Sequence, residues 1–339
     1  MAEPDDITQP ATESPSAPVG PLHFWRGLTW GLLTGWILVF LPYAVALFLR
    51  YKGTHDTSWM PTWSYNGSLL LLLPLAQGFV GGLMRGTGRQ SISSGIALVS
   101  LMWMANTILA GIIMHEGIIC VLMAAPLLWA LHGIGYMFGR LATKLKRART
   151  LSMSFAPLIL LATVGETVGP LPNHASVITD SVTVNAPASY VWTYVVDYPD
   201  NPNPPDYWMW RIGLPAPTHS VAPVQKVGAR RDCKFTGDQA FEERITELEP
   251  NKKLTFAITK QPQHPEIIDH IDVDQGQIVL HDNGDGTTTV TATSWYRLHV
   301  RPAGYFDWWA ADVTRHIHFR VLGYMKTLAE RDYRAANGK

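Results

Sequence analysis

Between Gly27 and Val168 the chain carries long apolar runs with few charges, whereas after Asn173 charged residues, asparagine and proline become frequent. One soluble core does not segregate its residues in this way. A helix crosses the hydrocarbon core of a bilayer with about 20 apolar residues. Residues 27–49, 94–114 and 117–139 meet that requirement, and 68–84 meets it as a shorter span. These four spans make the first half of the chain a transmembrane bundle. A fifth segment, 151–168, is shorter and carries Pro157 and Glu166. Its Leu, Ile, Val and Phe side chains favour insertion by about 2–5 kcal/mol, and Glu166 sits near one end, where a charge costs less.

Orientation follows from lysine and arginine in the short loops, which concentrate on the cytoplasmic side. With a cytoplasmic N-terminus the inner loops hold Arg26, then Arg85 and Arg89, then Arg140, Lys144, Lys146, Arg147 and Arg149; the outer loops hold only Arg50 and Lys52. A fifth span then puts everything after about Gly169 on the outer, periplasmic face of the plasma (inner) membrane. Without it the C-terminal half is cytoplasmic. Trp25, Trp30, Trp59 and Trp63 lie near span ends, as interfacial anchors do. His132 lies inside the fourth span and reads as a packed or snorkelling residue near its end; His115 and Glu116 mark the turn before that span.

Residues 1–22, acidic and rich in Pro, Ser and Thr, have too little apolar surface to fold and are expected to be a disordered tail. No short basic stretch leads into a cleavable apolar segment, so no removed signal is expected. The formal net charge is zero, which argues against a phosphate-binding surface and so against nucleic acid as a partner. Cys120 and Cys233 lie in different halves; no bridge between them and no cysteine-rich zinc site is expected.

The second half alternates. Residues 177–184 read as a strand, and Asn185-Ala-Pro opens a helix with Val191, Trp192, Val195 and Val196 at helical spacing. Residues 197–220 are dense in proline and aromatics, which predicts an ordered loop or lid over something apolar. Strands are expected at 228–235, 241–248 and 254–259, followed by a hairpin of 277–281 and 287–298 across Asp282-Asn-Gly-Asp-Gly. The last element is an amphipathic helix over 305–334, with Trp309, Val313, Ile317, Val321, Tyr324 and Leu328 on one face. A curved antiparallel sheet gripping one long helix satisfies this order.

The run SVTVNAPASYVWTYVVDYP, the segments FEERITELEPNKKLTFAI and NGDGTTTVTATSWYRL, and the closing helix together resemble the START-like (SRPBCC) superfamily, which includes polyketide cyclases and lipid-transfer domains. The resemblance covers about residues 174–335 and implies an α+β helix-grip domain with an apolar cavity for a lipid, isoprenoid or polyketide-like molecule. The hydrophobic helices in front resemble a bacterial variety of the family. The implied cavity candidates are Trp309, Val313 and Ile317 on the long helix, Trp208 and Trp210 near the mouth, and Trp295 and His316.

No nucleophile motif, phosphate loop or zinc spacing is present, and no cofactor or metal is expected. Two residues apart on a helix, His316 and His318 point in different directions and cannot share one ion. Asp232, Glu242 and Glu243 read as exposed strand charges. The expected function is therefore lipid binding or transfer at the cell envelope, with membrane lipids and a hydrophobic small molecule as partners. A cyclase- or dehydratase-like enzyme on an apolar substrate and a ligand-sensing scaffold are the alternatives.

Overall fold

The computed structural model describes residues 21–37, 67–85, 91–113, 117–145, 172–268 and 270–338, with scattered positions between them. In the first half these form α1 (Pro21–Gly35), α2 (Leu73–Met84, entered through a π-turn over Ser68–Leu72), α3 (Ile92–Ile113) and α4 (Ile118–Lys144). Helices α3 and α4 are long and apolar enough to cross a membrane, and α2 is a shorter apolar helix. Most of residues 38–49 and of the fifth segment, together with Trp59, Trp63, His115 and Glu116, lie outside the described residues.

The helices expose large apolar side chains. Ile96, Met104, Ile108, Leu122, Met137 and Phe138 point outward, whereas glycines line the contacts between helices. Two small-residue motifs meet face to face, Gly78 with Gly82 on α2 and Gly135 with Gly139 on α4. A Cβ at Gly78 or Gly82 would strike the carbonyl oxygen of His132 or Tyr136; one at Gly135 or Gly139 would strike that of Leu75 or Phe79. These contacts advance in the same sense along both helices, so α2 and α4 run parallel and begin at the same end. Glycine at these positions is what permits so close a backbone approach.

Helix α4 continues past Gly139 to Lys144, which places His132 near its middle rather than near an end. His132 is fully buried there, and so is Gln77. Its Nδ1 meets the Leu128 carbonyl at 2.7 Å, and its Nε2 lies 3.0 Å from Gln77 Oε1 and 3.2 Å from Asn106 Nδ2. It is thus neither snorkelling nor alone, but part of a polar network joining three helices.

The second half is one seven-stranded antiparallel sheet in the order β1-β7-β6-β5-β4-β3-β2. Its strands are β1 (His174–Val184), β2 (Pro217–Val221), β3 (Arg230–Phe235), β4 (Gln239–Glu249), β5 (Lys253–Lys260), β6 (Ile271–Asp282) and β7 (Thr288–Leu298). Two short helices, α5 (Ala188–Trp192) and α6 (Trp208–Arg211), follow β1, and α7 (Ala303–Ala336) closes the chain. Register shifts on β4 and β6 mark irregularities of the kind that bend a sheet, and the sheet curls around α7 as a helix grip. The predicted hairpin is present, its turn closed by Asn283 N–H donating to the Thr287 carbonyl, with Gly284 and Gly286 at positive φ.

Three expectations need correction. The proline-rich stretch contains a strand, because Pro217 is the first residue of the edge strand β2, where a missing N–H costs little. Strand β6 begins at Ile271, well before residue 277; pairing with β7 from Ile271, joined by β5 from Gln275, holds its polar first half in the sheet. Glu243 is buried against Arg231, with side chains only 4% and 3% exposed. The Arg231 Nε also donates to the Val196 carbonyl, and the guanidinium lies over the Phe256 ring. A buried charge survives only when paired in this way.

The core divides α7 into two working parts. Its C-terminal half buries Leu322, Met325, Leu328 and Ala329 against Val191, Ile245, Leu254, Leu280 and Val290. Its N-terminal half packs Phe306 and Ala310 against Tyr296 and Leu298 and also stands over a cavity.

Candidate functional site

Phe306, Trp309, Val313 and Ile317 recur at steps of three and four along the first half of α7, and together they form one wall of a cavity of about 270 Å³. The sheet adds Phe235, Phe241, Val273 and Leu298. The loops before β2 and β6 add Leu214, Glu266 and His270, and the first half of the chain adds Trp36, Leu73, Asn106, Thr107, Ile119, Met123, Leu128 and His132. The cavity is therefore shared between the helix bundle and the grip, and its surface is overwhelmingly apolar. A space of this kind excludes water and rewards an apolar guest.

Two carboxylates hold the halves together around it. Helix α4 begins at Gly117, which offers no side-chain cap to the first free N–H groups of the helix. Glu266, between β5 and β6, supplies the cap instead: Ile119 N–H and Cys120 N–H each donate to one of its oxygens at 2.9 Å. The bare Gly117 Cα makes room, since a Cβ there would run into the Glu266 carboxylate. The same device recurs where α2 begins. Gly67 N–H and Ser68 N–H donate to Glu166, and Arg301 Nη1, just before α7, donates to the same carboxylate at 3.2 Å. Anionic groups are favoured at both places because helix N-termini carry partial positive charge. A third link is Tyr305, whose hydroxyl donates to the Met123 carbonyl at 2.6 Å.

The candidates taken from the sequence separate. Trp309, Val313 and Ile317 are brought together on the cavity wall. Trp210 is buried beside it, in a cluster with Ile119, Tyr207 and Met209, with Arg320 over its ring. Trp208 is 45% exposed. Trp295 takes the face of β7 opposite to Ser294 and Tyr296, because strand residues alternate and it shares parity with Thr293 and Arg297. His316 stacks on the Tyr207 ring at 3.8 Å, and its Nδ1–H donates to the Asp312 carbonyl. Burial and the hydrogen bond to Asp312 push the Tyr207 phenol well above its ordinary range, so it stays protonated and donates. Trp208, Trp210, Trp295 and His316 do not line the cavity.

His318 faces the sheet instead. Its Nδ1 lies 2.8 Å from Asp180 on β1, and its Nε2 lies 2.8 Å from Ser294 Oγ on β7. Burial outweighs the neighbouring Asp180 and holds the imidazole below its ordinary value, so it is neutral and clamps α7 to two strands. Burial, with Glu243 nearby, pushes the Cys233 thiol up to about 12, so it is no thiolate nucleophile. Cys120 and Cys233 are not bridged to each other. Among the described residues, no group of three or more His, Cys, Asp or Glu side chains is arranged to hold a metal ion.

The sequence reading missed Glu266, Asn106 and Thr107. Nothing local marks Glu266, whose partners are about 147 residues away. Asn106-Thr107 inside an apolar run was a readable signal, since polar residues in a span face its neighbours rather than lipid.

No protein-family model matches the chain, and no curated protein matches it. Among solved structures it is similar to norcoclaurine synthase from Thalictrum flavum at 12% identity, over 48% of this chain and 96% of that one, with a TM-score of 0.32. The Zhui aromatase/cyclase from a Streptomyces species is similar at 17% identity, over 48% and 98%, with a TM-score of 0.34. A START superfamily protein from Mycobacterium smegmatis is similar at 12% identity, over 45% and 98%, with a TM-score of 0.32. These similarities add no weight to the fold, which rests on the strand order and the gripped C-terminal helix described above.

Proposed function

We propose that this protein holds a hydrophobic molecule in a cavity shared between membrane-spanning helices and a START-like domain, for lipid binding or transfer at the cell envelope. The observation that carries the reading is that shared wall: Thr107, Ile119 and Leu128 on the helices face the same space as Trp309, Val313 and Ile317 on α7. A lipid, isoprenoid or polyketide-like compound leaving a bilayer needs a dry route, and a cavity open to both halves supplies one. The division that fits is a tail over 1–22, a membrane region over 23–168 and a ligand domain over 174–335.

The outward-facing apolar side chains and the glycine contacts between helices support membrane insertion. The docking contacts support the topology. The domain meets α2 and α4 at their first residues, whereas Arg85, Arg140 and Lys144 lie at the far ends. If those basic ends are cytoplasmic, the domain lies on the outer face. Leu145 lies at one end of the bundle and Glu166 at the other, as a fifth crossing requires.

The test is native mass spectrometry with lipid extraction on the full chain in nanodiscs. A stoichiometric co-purified lipid, displaced in Val313→Trp and Ile317→Trp variants that fill the space, supports the reading. A chain that is empty and ignores an added lipid panel refutes it.

A further inference from the structure

An apolar cavity ordinarily holds no hydrogen-bond donor without a partner, because leaving one buried and unsatisfied costs more than omitting it. Two such donors line this cavity among the described residues. Trp309 Nε1–H, on the domain side, and Thr107 Oγ1–H, on the helix side, are both buried without a hydrogen-bond partner among the described residues, and both side chains line the space. Thr107 is a clear departure, since a hydroxyl within a helix has a backbone carbonyl one turn earlier within reach, as Thr314 uses on α7. Neither donor makes a hydrogen bond to the neighbouring Asn106, His132 or Glu266. The Glu266 oxygens receive Ile119 and Cys120 N–H.

Resting on the binding function above, we propose that the guest is not a plain hydrocarbon: it is a long apolar molecule carrying ketone or ester oxygens, which accept hydrogen bonds from Thr107 and Trp309. An uncharged carbonyl suits the site. It supplies the missing acceptor while adding no charge to a water-excluded space, and the Glu266 carboxylate on the wall is already occupied by a helix N-terminus.

The experiment compares two probes of equal chain length, a long-chain methyl ketone and the corresponding alkane. Each is titrated into the full chain in nanodiscs against a displaceable fluorescent fatty probe. The wild type should prefer the ketone by about five- to tenfold per hydrogen bond formed. Thr107→Val, which keeps the shape and removes the hydroxyl, should lower ketone affinity relative to alkane affinity by that factor. Trp309→Phe should reduce the ketone preference in the same sense. Equal binding of ketone and alkane by the wild type, or an unchanged preference in both variants, overturns the proposal while leaving hydrophobic binding intact. If neither probe binds the wild type, the binding function falls with it.

Discussion

Replacing Glu266 with alanine should loosen the grip domain from the helix bundle. The carboxylate receives two N–H groups at 2.9 Å from the uncapped start of α4. Hydrogen bonds to a charged group contribute about 1.5–3 kcal/mol each. Glu266 is partly exposed, so the lower figure applies, giving about 3 kcal/mol for the pair, or roughly 150-fold in the docking equilibrium. Glu266→Gln keeps one acceptor oxygen and should lose about half of that. Gly117→Ala should reproduce part of the defect without touching the carboxylate, because its methyl would occupy the same space. Hydrogen exchange in nanodiscs reads the outcome directly: the Ile119 and Cys120 amides should exchange faster, with ligand retention falling in parallel. Unchanged exchange at both amides in Glu266→Ala would refute the capping role. Faster exchange with full ligand retention would separate docking from binding.

Gly139→Leu should break the parallel contact of α2 and α4, since its side chain would enter the Phe79 carbonyl; overpacking of this kind costs about 1–3 kcal/mol or more, read as a lower Tm in detergent, with Gly133→Leu, which faces open space, as the silent control. His318 gives a pH dependence of known sign. Its folded-state pKa is depressed, chiefly by burial, so the unfolded chain takes up the proton first. Stability from this site is present above the unfolded value of about 6.5 and is lost as pH falls through it. The Tm should fall between pH 8 and pH 5 by more in the wild type than in His318→Gln. An equal fall in both would remove His318 as the cause.

Much of the C-terminal architecture was legible because it is written in local periodicity. The Asn-Gly-Asp-Gly turn predicted its hairpin, and the three- and four-residue steps of Trp309, Val313 and Ile317 identified one face of α7. The parity of β7 was equally readable: Trp295 keeps step with Thr291, Thr293 and Arg297, which is the face turned away from Ser294 and Tyr296. The glycine spacings on α2 and α4 are also in the sequence, though their meeting face to face is not. Proline density misled at Pro217, because the rule that proline blocks pairing does not apply to the first residue of an edge strand.

By itself, then, the sequence determined the kinds of element and their hydrophobic faces, because burial demands a repeat that follows the geometry of each helix or strand. Only the tertiary structure decided that Glu266 caps α4, that Glu243 is buried with Arg231, that His318 clamps two strands, and that one cavity belongs to both halves. Each of those depends on groups far apart in the chain being brought within a few ångströms. No local pattern encodes such a meeting, because the side chain that answers a buried charge or an open helix end can come from anywhere the fold delivers it.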